Sequence, residues 1–281
     1  MLTINTNNGA ITAAKAAKNA QKQMDQAMMR LSTGKRLNSA KDDPGSLTVA
    51  IRMTAEINSL TTSLKNASDA QSAVDTGEAA LAEIQVLLLR LRELAVQSST
   101  ETTTTADRAA LNSEVSALET EIDRIGSSTT WGGINLLNGT YSKASPIVFQ
   151  IGPNDGETLS FTMGFVKATA ATTAQGTLGL TSDVLTRTKA SAYISTIDGA
   201  ISVVSSRRGS FGAVSNRLDS TITNIRNMRA NILSAKGQIE DTDYAVETAN
   251  LARAQILLQA ATAMLSQANA SKNLTMQLIN N

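Results

Sequence analysis

The sequence predicts a mainly α protein, a long antiparallel helical rod or coiled coil with a small β-hairpin region in the middle of the chain. Three observations carry this. Met53, Leu60, Ala67, Val74, Leu81, Leu88 and Ala95 lie seven apart and all are apolar, which keeps one helix seam facing a partner turn after turn. Ala190, Ile197, Val204, Phe211, Leu218, Ile225 and Ile232 repeat that spacing late in the chain. Between them the period drops to two: Ile147, Phe149 and Ile151, then Leu159, Phe161 and Met163, a pair of strands around a Gly/Pro/Asn/Asp turn.

The composition agrees. Of the 281 residues 42% are hydrophobic but only 3% aromatic, which suits packing between helices through small side chains better than a bulky enzyme core. The 25 basic and 24 acidic residues give a net charge of +1, so neither nucleic acid nor an anionic membrane is an expected partner. Cys and His are both absent. That removes disulfides, zinc sites built on those ligands, Cys nucleophiles and His general bases together. No cofactor or metal is expected and the chain reads as a non-enzyme. Its most apolar run, 86–96, is broken by Arg90, Arg92 and Glu93, so no membrane-spanning helix is expected. The first ten residues show no basic region followed by an apolar stretch, so the chain reads as either cytoplasmic or exported by a route that uses no cleavable signal peptide.

The elements follow in order. Ala10, Ala17, Met24 and Leu31 are seven apart, with Ala13, Ala20 and Ala27 interleaved. An alanine seam removes little apolar area from water, so this helix is marginal alone and needs a partner. Gly34 opens a break, and Asp43-Pro44 marks the start of the long helix, Asp as N-cap and Pro at the first helical position. At about 1.5 Å per residue a helix from 44 to 98 would run roughly 80 Å. A Ser/Thr-rich loop to Thr105 precedes a helix carrying Leu111, Val115, Leu118, Ile122 and Ile125. Past Gly126, Trp131-Gly132-Gly133 and Leu136-Leu137-Asn138-Gly139 form a turn-rich anchor with the single Trp as a core plug. Residues 169–181 read as a polar loop. Helix resumes near Ser191 and is interrupted at Gly237. Leu251, Leu258 and Leu265, with Ala254, Ala261 and Ala268, then mirror the light seam of the opening helix.

Two acidic groups invite a catalytic or metal-binding reading: Asp42 with Asp43, and Glu240 with Asp241 and Asp243. Both sit just before helices, where capping and pairing with basic neighbours account for them better.

Several segments, in order, resemble the signatures of bacterial flagellins. They are Arg30-Leu31-Ser32-Thr33-Gly34-Lys35-Arg36-Leu37-Asn38-Ser39-Ala40-Lys41-Asp42-Asp43, Arg90-Leu91-Arg92-Glu93-Leu94-Ala95-Val96-Gln97 and Gly132-Gly133-Ile134-Asn135-Leu136-Leu137. Near the end Gln238-Ile239-Glu240-Asp241-Thr242-Asp243-Tyr244-Ala245 and Gln255-Ile256-Leu257-Leu258-Gln259-Ala260 complete the likeness, which covers nearly all of 1–165 and 186–281. Trp131 and Gly132 replace the family's Phe-Asn pair, Pro44-Gly45-Ser46 stands where Ala-Ala-Gly is common, and Leu89 where many members carry Gln. The centre, 139–189, is too short for the large outer domains of many flagellins.

The resemblance implies a secreted structural subunit that polymerises with itself into the flagellar filament for swimming. It implies an inner coiled coil from 1–43 and 238–281 and a rod layer from 44–185 and 186–237. Assembly seams then fall on Ala10, Ala17, Met24, Leu31, Leu251, Leu258 and Leu265. Implied partners are the flagellar export apparatus and its chaperone, the filament cap and the hook-junction proteins. A patch for the flagellin-sensing Toll-like receptor maps to Arg90, Leu94 and Glu114. A hook–filament junction protein and a stand-alone helical bundle are the competing readings.

Overall fold

The computed structural model describes residues 6–141, 145–164, 166–168, 178–180 and 183–279, the side chains of 272–279 excepted. Among the described residues five helices, α1 (Asn8–Thr33), α2 (Pro44–Ser98), α3 (Thr105–Ser128), α4 (Arg187–Glu240) and α5 (Tyr244–Ile279), carry most of the chain. Two small antiparallel hairpins lie between α3 and α4: β1 (Thr130–Trp131) with β2 (Ile134–Asn135), and β3 (Ile147–Gln150) with β4 (Thr158–Phe161). The chain divides into two compact units, one made of 1–57 and 230–281 and the other of 58–229. The divisions fall inside α2 and α4.

In the first unit α1 and α5 pack side by side and antiparallel. The Asn7 side-chain amide donates to the Ala268 carbonyl at one end (3.1 Å), and Tyr244 Oη donates to the Leu31 carbonyl at the other (3.0 Å). The α1 helix is opened by Asn7, whose Oδ1 accepts the Ala10 N–H, and closed by left-handed Gly34, whose N–H returns to the Arg30 carbonyl. These caps satisfy backbone groups that a helix leaves orphaned at its ends.

In the second unit one apolar core joins α2, α3, α4 and the β3–β4 hairpin. From Leu60 onward the predicted seam is fully realised, with Leu60, Ala67, Val74, Leu81, Leu88 and Ala95 at most 1% exposed. On α4 the predicted Ala190, Ile197, Val204, Phe211, Leu218 and Ile225 are buried, joined by Tyr193. Thr104 and Asp107 form a reciprocal capping box at the start of α3. One turn later Arg108 donates to the Ser98 and Thr100 carbonyls and so closes the end of α2. Period two holds in the hairpin, where Leu159 and Phe161 are buried and Val148 is exposed. Phe149 stacks on Phe161, and Phe161 meets Phe211 of α4 edge-on at 6.5 Å between centroids. Trp131 is half-buried against this core.

Several expectations give way. Gly126 does not end α3; a Cβ there would lie 2.2 Å from the Val166 carbonyl oxygen, so the glycine admits a crossing backbone. Gly237 does not interrupt α4, which runs on to Glu240, since one glycine costs a helix only about 1 kcal/mol. The α4 helix also begins earlier than Ser191, at Arg187. Within the segment read as a polar loop, Leu178 and Leu180 are buried and donate to the Lys167 and Ala168 carbonyls. Residues 169–177 and 181 lie outside the described residues. The turn-rich anchor contains an unexpected hairpin: Gly132 and Gly133, both at positive φ, connect β1 to β2, as a two-residue turn between twisted strands requires.

Candidate functional site

No cluster of three or more Asp, Glu, His or Cys side chains able to hold a metal occurs among the described residues. The acidic groups singled out in the sequence are engaged structurally. Asp43 accepts from the Ser46 N–H and hydroxyl as the cap of α2. Asp42 accepts from the N–H groups of Asn38 and Ser39. Asp243 caps α5 through the Ala245 and Val246 N–H groups. Glu240 takes Lys35 Nζ at 2.5 Å and Lys236 Nζ at 3.3 Å. These bonds stabilise the charged forms, so Asp42, Asp43 and Glu240 titrate below the ordinary carboxylate range, and the bond to Glu240 raises Lys35.

Around these residues a short link is tied twice to the end of α4. Arg36 N–H donates to the Glu240 carbonyl (2.7 Å), and Thr242 N–H to the Gly34 carbonyl (3.0 Å). The Arg36 guanidinium donates to the Ile239 carbonyl, and Leu37 is buried beneath. The end of α1 and the start of α5 are therefore joined in one hydrogen-bonded knot.

The surface with capacity for another chain lies on the α1–α5 pair. Ala13, Ala20 and Ala27 of α1 and Ala254 and Ala261 of α5 are its buried line. The predicted seam residues Ala10, Ala17, Met24, Leu31, Leu251, Leu258 and Leu265 are half-buried beside that line. The two light seams thus face each other within one chain. What remains outward is apolar: Ile11, Met28 and Met29 on α1, and Val246, Ile256, Leu257 and Met264 on α5 are each exposed by 47% or more. Single exposed apolar residues are ordinary, but this many on two adjacent helices are not. A groove of 530 Å3 opens among them, lined by Gly9, Ala13, Leu257, Ala261 and Met264. Heptad counting passes over these residues because they sit off the seam. The signal that finds them is the doublets Met28-Met29 and Ile256-Leu257, which widen the apolar face beyond what one partner helix covers.

On the second unit, the patch residues part company. Arg90 donates to Glu114 from Nε (3.0 Å) and Nη2 (2.8 Å), and to Glu93 from Nη1 (3.1 Å), with Arg90 and Glu114 at the surface. Leu94 is 1% exposed and belongs to the core. The exposed apolar residues beside them are Leu89 and Val96, on either side of Glu93.

One part-buried polar pair lies in the same unit. Tyr193 Oη donates to Glu119. Burial raises Glu119 above the usual carboxylate range against the lowering effect of that bond, and burial with the bond raises Tyr193. Its role is to join α3 to α4.

Residues 4–142 match the bacterial flagellin N-terminal helical region and residues 194–279 the C-terminal helical region. The chain is similar to a flagellin of Halalkalibacterium halodurans, 38% identical over 257 residues that cover 92% of each chain. It is also similar to flagellin B of Vibrio cholerae, 30% identical over a 376-residue alignment covering 99% of each. That alignment is longer than this chain, so the Vibrio protein carries insertions and this one a short centre. Among solved structures, a putative flagellar hook-associated protein from Vibrio parahaemolyticus shares the fold, with a TM-score of 0.58 over 71% of this chain and all of that one at 16% identity. Paired terminal helices, an apolar outer face and an absence of His and Cys thus meet in a chain that belongs to the bacterial flagellins, the structural subunits of the flagellar filament that drives swimming.

Proposed function

We propose that the subunit joins its neighbours through the outward apolar faces of α1 and α5, while the seam from Ala10 to Leu31 and from Leu251 to Leu265 holds those two helices together as one assembly element. The observation that supports this is the run of exposed Ile, Leu, Met and Val on both terminal helices. Different patches that complement one another head to tail generate an open helical polymer. In that polymer the terminal helices form the inner tube, and the long helices α2 and α4 with α3 form the layer around it.

The other partners follow from the same surface. Before assembly the apolar faces of α1 and α5 need cover, which an export chaperone provides until the flagellar export apparatus takes the chain. At the growing end they meet the filament cap, and at the base the hook-junction proteins. On the second unit, Arg90 and Glu114 with Leu89 form the face offered to the flagellin-sensing Toll-like receptor, and Leu94 supports it from the core.

Seeded growth tests the assembly reading. Wild-type monomer added to short filament fragments is expected to give long filaments by electron microscopy. Ile256→Asp with Met264→Asp, and separately Leu258→Asp, are expected to give none, because a carboxylate buried in an apolar contact costs several kcal/mol without a partner. The outward pair should keep its monomer helicity by circular dichroism, so that failure to grow is an interface effect. Filaments from the outward double variant would remove these faces from the interface. Wild-type growth that stops after one layer would mark a junction protein.

A further inference from the structure

We infer that the turn at Asn138-Gly139 is a site of spontaneous deamidation, activated by the fold itself. The sequence holds two Asn-Gly pairs, Asn8-Gly9 and Asn138-Gly139, and the structure treats them oppositely. Asn8 and Gly9 both lie in the first turn of α1, whose backbone keeps a side-chain carbonyl carbon away from the next peptide nitrogen. Asn138 is exposed at an isolated bridge position that leads directly into a bend at Gly139, which has φ +87°. With no Cβ on Gly139, the following peptide is open to close approach.

The hydrogen bonds at Asn138 add activation to access. Its Oδ1 accepts the Thr140 N–H at 3.0 Å, so the carboxamide is folded back over the Gly139 peptide unit instead of extending into solvent. Its own N–H is fixed by Asn135 Oδ1 at 2.9 Å, which also takes the Leu137 N–H at 3.1 Å. In the reaction, the deprotonated Gly139 nitrogen attacks Asn138 Cγ, and negative charge develops on Oδ1. The Thr140 N–H already points at that oxygen, as a preorganised donor to a developing oxyanion. Collapse of the tetrahedral species expels the side-chain nitrogen, which leaves as ammonia after taking a proton from water. Water then opens the succinimide at either carbonyl, giving Asp or isoaspartate at 138 with one new negative charge. No oxidant, reductant or enzyme enters.

Isoaspartate also inserts a carbon into the main chain between two anchors. On one side the Leu137 carbonyl receives the Val166 N–H; on the other the Tyr141 carbonyl receives those of Met163 and Gly164. The mark therefore lands where the loop is tied to the core of its unit.

The test compares folded and urea-unfolded full-length protein at mildly alkaline pH, with peptide mapping for Asp and isoaspartate at both sites over time. The folded-to-unfolded rate ratio is expected to exceed one at Asn138 and to fall well below one at Asn8. Asn138→Gln should release no ammonia from the site, since its ring closure would be six-membered and slow. A ratio below one at Asn138 would overturn the inference, because the fold would then be protecting the turn.

Discussion

The α1–α5 pair and the core of the second unit are both helical, yet they are held by different chemistry. The first buries alanine: Ala13, Ala20, Ala27, Ala254 and Ala261 make its line of contact. The second buries Leu60, Leu81, Ile84, Leu88, Leu91, Ile122, Phe161, Tyr193 and Phe211. At about 25 cal/mol per Å2 of apolar surface removed from water, a buried Leu or Phe contributes several times what a methyl does. Ordering a residue costs much the same in both places. Stability of the monomer is therefore concentrated in the second unit. The first leaves its larger side chains, Met28, Ile256 and Met264 among them, for a surface it does not itself supply. Under the proposed assembly that division is useful, because neighbours covering the terminal helices would stabilise them by mass action.

The largest effect is expected from a cavity in the stronger core. Leu88→Ala is expected to cost about 2–5 kcal/mol, lowering the urea midpoint followed by fluorescence of Trp131, which packs on that core. A shift of a few tenths would mean the core is not where stability resides. Tyr193→Phe should cost about 1 kcal/mol at neutral pH, because the part-buried Glu119 loses its donor and water replaces it only in part. The sign with pH is definite. Burial holds the folded pKa of Glu119 above its unfolded value, so the contribution of this group is present below the ordinary carboxylate range and is lost as pH rises through the folded pKa. Removing the Tyr193 hydroxyl raises that pKa further, and the penalty should shrink in acid as the carboxyl protonates. Ala20→Gly, at the centre of the alanine line, should cost about 1 kcal/mol in α1 and leave the Trp131 transition in place. A coupled shift of that transition would show the two regions unfolding as one.

Periodicity made the strong region legible. The long helix runs from Pro44 to Ser98 as its cap signal and heptads require, and the hairpin alternates as its sequence does. Glycines were misleading where only tertiary contact gives them meaning. Gly126 makes room for the Val166 backbone, and Gly237 is simply carried by a helix long enough to tolerate it. Leu94 lay just off the seam defined by Leu88, Leu91 and Ala95, and additional packing in the core covers it. The seam residues of α1 and α5 were legible as a light apolar line. That the two lines belong together followed from the mirrored layout and the family resemblance and not from the heptads themselves, because a heptad does not name its partner.

The smallest expected effect concerns the knot between α1 and the end of α4. Glu240 is held below its unfolded pKa first by Lys35 and also by Lys236, with burial opposing, and Asp42 and Asp43 are held down by hydrogen bonds from Ser39 and Ser46. Groups with depressed folded values stabilise above the unfolded carboxylate range and lose that contribution as pH falls through the folded pKa. Lys35 is raised, so its part is complete below the unfolded lysine value and fades only as pH rises through the folded one. The knot is therefore most secure between roughly pH 5 and pH 10. Exposed pairs contribute little each, so the readout has to be local. Amide exchange at Arg36 and Thr242, corrected for intrinsic rates, should show protection that is flat near neutrality and drops below about pH 4. Glu240→Gln should lower protection at neutral pH and weaken the acid dependence. Protection that stays constant through the carboxylate range would mean that the two backbone bonds hold the link unaided, and the charges beside them would be incidental.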